Sequence, residues 1–170
     1  MALREIRVIG DPLLQKVSKP VKAIDGRIKQ LLDDMHDTMV AAQGLGIAAP
    51  QVGVLKRIVL IEYEDERYEL INPVILERRG LQAKPEGCLS VPGKNGIVER
   101  PEYVKVSAMD RDGNTYTVEG EEIMAVALCH ELDHLDGILY PTKALEMYDV
   151  HVRTEDAQDE QEQCDESEAL

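Results

Sequence analysis

The chain reads as a single α+β domain, with mixed or antiparallel strands packed around a central helix. Three observations lead there. Two segments repeat their apolar residues at helical spacing, and several β-branched runs lie between them, two of them flanking a hairpin signal. The third is length, since 170 residues suit one compact domain with a real core. Helix, then several strands, then helix is the order of an α+β fold in which the second helix packs against sheet.

The elements follow in order. Ile9-Gly10-Asp11-Pro12 reads as a turn, and Pro12-Leu13-Leu14 leads into irregular chain. Over residues 25–42, Ile28, Leu31, Leu32, Met35, Met39 and Val40 recur on one helical face, and Gly44 and Gly46 should stop that helix. Residues 57–62 and 68–76 are rich in β-branched and apolar types and predict strands. Residues 104–109 and 115–118 flank Asp112-Gly113, a hairpin turn. A second helix is expected over 121–136, rich in Ala, Leu, Ile and Met, with Gly137 as its stop. Beyond Leu145 the periodicity fades. One folded domain over 1–148 is therefore expected, followed by an acidic, disordered tail over 149–170.

Composition narrows the function classes. Aromatics are 4% of the chain and all are tyrosine, so the core must be built from Val, Ile, Leu, Met and Ala. The net charge is −14, and the tail from Asp149 to Leu170 holds nine acids against one arginine. Phosphate binding needs clustered Lys and Arg, so no nucleic-acid partner is expected. No apolar run approaches a membrane span, and Met1-Ala2-Leu3-Arg4-Glu5 lacks a leader's apolar stretch, which predicts a cytoplasmic protein without membrane partners. Three cysteines, an odd number, make no disulfide framework.

Residues 130–134 read His130-Glu131-Leu132-Asp133-His134. At roughly 100° per residue the two histidines lie one turn apart, about 40° around the helix, and can chelate one divalent ion. Glu131 beside them can reach the attacking water. Ile123, Val126 and Ala127 precede His130 by seven, four and three residues and share its face, which sets the histidines in a pocket wall; plain core packing would also explain them. A catalytic site needs a third protein ligand. Asp136 faces away from His134, and His151 adjoins the acidic tail, so neither serves well. Cys88, within Glu86-Gly87-Cys88-Leu89-Ser90, is the better candidate, because a thiolate binds iron or zinc strongly. An inert buried cysteine is the plain alternative. Cys129, about 100° from His130, is expected to pack or to contact a ligand from outside, and not to ligate. Arg100 is expected either to pair with Asp133 or another acid near this helix or to lie solvated. His36 and His151 carry no visible function.

Three segments, Gly44-x-Gly46-x-Ala48-Ala49-x-Gln51, Glu86-Gly87-Cys88-Leu89-Ser90 and His130-Glu131-x-x-His134, occur in this order. Together they resemble the peptide deformylase family over roughly residues 4–145. The resemblance implies a hydrolase that removes the N-formyl group from the formyl-methionine of nascent polypeptides and releases formate. It implies Cys88, His130 and His134 as metal ligands and Glu131 as general acid/base. The Gln51 side chain and the Leu89 backbone N–H would form the oxyanion hole, and Gly46 would pair with the extended substrate. Ile123, Val126 and Ala127 would help line a methionine pocket. The implied cofactor is one divalent ion, Fe2+ in the family's usual usage, with Zn2+, Ni2+ or Co2+ able to occupy the same ligands. Cys129 stands where the family commonly has Gln. The acidic tail departs from members whose basic extension docks on the ribosome, so any ribosome association would take another route. A zincin-like peptidase and a non-catalytic metal- or peptide-binding relative are the competing readings.

Overall fold

The computed structural model describes residues 2–151. Two α-helices, α1 (Gly26–Ala41) and α2 (Glu122–Leu135), accompany eight strands. These are β1 (Gly46–Ala48), β2 (Ile58–Tyr63), β3 (Glu66–Arg79), β4 (Gln82–Cys88), β5 (Val91–Arg100), β6 (Tyr103–Met109), β7 (Thr115–Glu121) and β8 (Ala144–Asp149). A five-stranded sheet has the order β1-β2-β3-β6-β7, and a three-stranded sheet the order β4-β5-β8. Every ladder between named strands is antiparallel.

Helix α1 begins where the Asp25 side chain accepts the backbone N–H groups of Arg27 and Ile28, satisfying two of the donors a helix start leaves free. It ends one step before the expected glycines. Gln43 takes the left-handed conformation (φ 56°), and the Gly44 N–H returns to the Met39 carbonyl at 2.9 Å. Gly137 does close α2 as expected. At φ 73° it lets its own N–H reach the His134 carbonyl and lets Ile138 N–H reach that of Asp133.

Strand β2 explains why residues 57–62 are apolar without alternation. Val59 and Ile61 face α2, in a core with Leu70, Val104, Val106, Ala125, Leu128 and Leu135. Ile58 and Leu60 face α1, in a second core with Leu31, Leu32, Met35 and Ile47. A strand covered on both faces has no polar side to show. The hairpin of β6 and β7 forms as predicted, with the Asp110 carboxylate accepting the N–H groups of Asp112 and Asn114 and Gly113 at φ 82°.

Strands β4, β5 and β8 were not expected. Pro85, Pro92, Gly93 and Gly96 interrupt their apolar pattern, and β8 is almost wholly exposed. β8 also carries Asp149, paired with Lys94 across the ladder, so regular structure runs one residue past the expected boundary at 148. His151 is exposed, and the rest of the expected tail, 152–170, lies outside the described residues.

Helix α2 touches β1, β2, β6 and β7 of the large sheet and β5 of the small one. That central seat places its histidines between the sheets. Leu32→Ala, at a fully buried position remote from those histidines, should cost about 2–5 kcal/mol in urea unfolding. A cost well under 1 kcal/mol would mean that the α1 core is not packed as described.

Candidate active site

The ligand atoms of Cys88, His130 and His134 lie within 4.8 Å of one another. The Cys88 Sγ to His134 Nε2 distance is 3.4 Å, close to the roughly 3.5 Å expected between a thiolate and an imidazole on one tetrahedral ion. His130 presents the other ring nitrogen outward, with Nδ1 2.7 Å from Glu86 Oε1. Its Nε2 is thereby the free coordinating atom. Three donors of this kind with an open side are the set a catalytic divalent ion takes. Cys129 is absent from the cluster and packs in the α2 core, as expected. Asp136 pairs with Arg57 at 3.1 Å.

Glu131 is 6% exposed, and one of its carboxylate oxygens has no hydrogen-bond partner. Burial pushes its proton affinity up to about 7, with His130 opposing and Glu86 adding to the rise. His134 is held well below the ordinary histidine range, first by burial and then by the charges of His130 and Arg100. For His130 burial acts downward, but its contacts with Cys88 and Glu86 outweigh it and hold a proton up to about 10. An arriving ion must displace that proton. The Glu86 carboxylate shifts the other way. Burial would raise it, and its bonds to His130 and Arg100 bring it below the usual range.

Gln51 is buried in the short helix Ala49–Val52 after β1. Its Oε1 accepts the Ala48 N–H at 2.9 Å, which fixes the amide so that Nε2 faces the cluster. There it donates to Ser90 Oγ at 3.1 Å and lies 3.6 Å from Cys88 Sγ. Gly46 has a steric reason to be glycine, since a Cβ there would sit 2.9 Å from Glu131 Oε1. Its main chain faces outward too. Glu62 N–H bonds the Leu45 carbonyl, so by ladder alternation the N–H and C=O of Gly46 point away from β2.

One cleft of about 460 Å³ joins these groups, lined by Gly46, Gln51, Cys88, Leu89, His130 and Glu131. Ile123, Val126 and Ala127 line it as well. Ile123 stands at its mouth, 49% exposed, and Ala127 is buried deeper. The ten residues to which the family resemblance gives a role thus fall on one site, with His134 joined through the ligand cluster. The sequence reading missed Ser90 as the partner of Gln51 and Glu86 as the partner of His130. Strand alternation carried a signal for Glu86, two residues before Cys88 and on the same face. Nothing in the periodicity marked Lys94, Asn95 or Val150 at the rim.

The family model for polypeptide deformylase matches residues 3–149. The chain belongs to the peptide deformylase family. A peptide deformylase of Acetivibrio thermocellus is 59% identical over 149 residues, covering 88% of each chain. One of Agathobacter rectalis is 56% identical over 143 residues, 84% of this chain and 90% of that one. Among solved structures, the Thermotoga maritima deformylase superposes with a TM-score of 0.83 at 35% identity, over 86% of this chain and 100% of that one. A Met-ala-ser bound deformylase of Acinetobacter baumannii superposes at 0.81 with 34% identity, over 84% and 98%. Deformylases are metal-dependent hydrolases that remove the N-formyl group from nascent polypeptides, and the chain is an enzyme of that activity.

A Cβ at residue 46 would crowd the buried Glu131 carboxylate, so Gly46→Ala should displace that carboxylate and lower kcat/KM by about 10²-fold without unfolding the protein. Wild-type kcat/KM in a folded Gly46→Ala protein would show that Glu131 need not stand where it does.

Proposed function

We propose that Cys88, His130 and His134 hold one divalent ion and that Glu131 is the general acid/base of formyl-methionine hydrolysis. The observation that carries this reading is the convergence of three metal-type donors, a buried carboxylate and an oriented amide on a single cleft. The ion, when bound, supplies Lewis-acid polarisation of the formyl oxygen and lowers the pKa of a water. We assign Fe2+ as the native ion, with Zn2+, Ni2+ or Co2+ as occupants of the same ligands.

In this reading Glu131 takes a proton from the attacking water and delivers it to the leaving amine. The Gln51 amide and the Leu89 N–H donate to the formyl oxygen as it gains charge. The peptide lies extended along β1, exchanging main-chain bonds with Gly46, and its methionine enters the apolar wall of Ile123, Val126 and Ala127. The Met-ala-ser bound Acinetobacter structure supports a site for a peptide that begins with methionine. Formyl is the smallest acyl group, so a narrow pocket admits it and rejects larger ones. Among the described residues no helix is long and apolar enough to cross a membrane. We place the enzyme in the cytoplasm, acting on formylated nascent chains, with a catalytic domain through residue 148 or 149 and an acidic tail that does not supply basic ribosome contacts.

Formate release from a formyl-Met-peptide, with protein purified without oxygen and loaded with Fe2+, is the direct test. Cys88→Ala should lose both ion and turnover. Glu131→Ala should keep the ion and lose about 10²- to 10⁴-fold in kcat. Normal turnover by folded Glu131→Ala would remove the acid/base assignment.

The same residue sets a pH dependence. The base form of Glu131 is needed at the start of the cycle, so kcat/KM should fall as pH drops through its titration. That titration starts from about 7 in the ion-free pocket and is drawn lower by a bound cation. An acid limb that persists unchanged in residual Glu131→Ala activity would assign the titration to another group.

A further inference from the structure

We infer that Arg100 is a positioning residue of the metal centre, a buried strut that fixes the distance between the strand carrying Cys88 and the helix carrying His130 and His134. The inference rests on those three residues being the ligands.

Arg100 is the last residue of β5 and is 3% exposed. Its Nε and Nη2 meet the two oxygens of Glu86 at 2.8 and 3.0 Å, a bidentate pair. Its Nη1 meets Asp133 Oδ2 at 2.6 Å. Glu86 sits on β4 two residues before Cys88, and Asp133 sits on α2 directly before His134. One guanidinium therefore grips both ligand-bearing elements. Glu86 extends the chain to His130 Nδ1, and Lys143 closes the far end on Asp133 at 3.0 Å.

The backbone gives this strut its importance. Helix α2 packs on β5 and on four strands of the large sheet, whereas β4 is not among the strands it touches substantially. Strand β4 therefore reaches the helix only indirectly, through its ladder with β5, and the direct links between the Cys88 strand and α2 are these side chains. A metal site tolerates only about 0.2 Å of error in its ligand distances. A planar fork with five fixed donors holds one carboxylate bidentately and a second at a set angle, whereas a lysine offers three donors from one point on a flexible stem and fixes neither geometry. Charge alone would not need this geometry.

The test uses the full chain loaded with Co2+ without oxygen, and reads the thiolate-to-cobalt absorption band and the rate of ion loss to excess chelator. Circular dichroism checks that each variant is folded. Arg100→Lys and Asp133→Ala should each lose the ion about 10- to 100-fold faster than wild type, with a weakened or shifted band. Asp133→Asn, which keeps an oxygen acceptor for Nη1, should stay nearest wild type. Asp133 is at the less buried end, so Asp133→Ala reads the strut even where Arg100→Lys fails to fold. Wild-type loss rates and band in folded Asp133→Ala would overturn the proposal. So would wild-type behaviour of Arg100→Lys beside rapid loss in Asp133→Asn, which would show that charge and not the fork matters. Absence of the thiolate band from the wild-type protein would overturn the ligand set itself, a failure distinct from that of the strut.

Discussion

The seat of helix α2 between the two sheets is the constraint from which the rest of the site follows. Apolar neighbours from β2, β6 and β7 fix its inner face, and the same burial takes His130, Glu131 and His134 out of water. Desolvation does two jobs at once. It keeps the His134 imidazole neutral and fit to coordinate, and it gives the Glu131 carboxylate a proton affinity near neutrality. Neither property could be had from histidines and an acid on an open helix face.

That environment is costly to build. Buried polar groups must be paired or they destabilise the fold, and most of those here are paired through a chain of charge-assisted bonds from Glu86 to Arg100 to Asp133. The exceptions are informative. One Glu131 oxygen and His134 Nδ1 are buried without partners, both of them at the reaction centre. In the proposed mechanism the open Glu131 oxygen is the one that takes and returns a proton.

Much of this was legible in the sequence, for identifiable reasons. Both helices declared themselves by period, and the β6–β7 hairpin by its Asp112-Gly113 turn. The candidate metal ligands were marked by the spacing of two of them on one helix face and by the kinship of three short motifs. Strands β4 and β5 were not legible, because the face they bury carries Glu86, Cys88, Gly96 and Arg100, polar or small residues that leave no apolar alternation to read. β8 was hidden for the opposite reason. It is held by main-chain pairing with β5 and buries little side chain. The link from Arg100 to Asp133 could be suspected from charge alone, but its extension to Glu86 required knowing that β5 ends beside β4.

Strand β1 is three residues long and forms one margin of the large sheet, with the main chain of Gly46 turned outward. A strand margin recognises only what every polypeptide carries, the repeating amide. An enzyme that must meet thousands of different newly made chains benefits from reading them without regard to their side chains. Its discrimination can then be confined to the first residue and the cap that residue bears. If the substrate pairs there as proposed, three residues align a chain end while offering other proteins' sheets only a short edge, so generality toward substrates need not become stickiness toward neighbours.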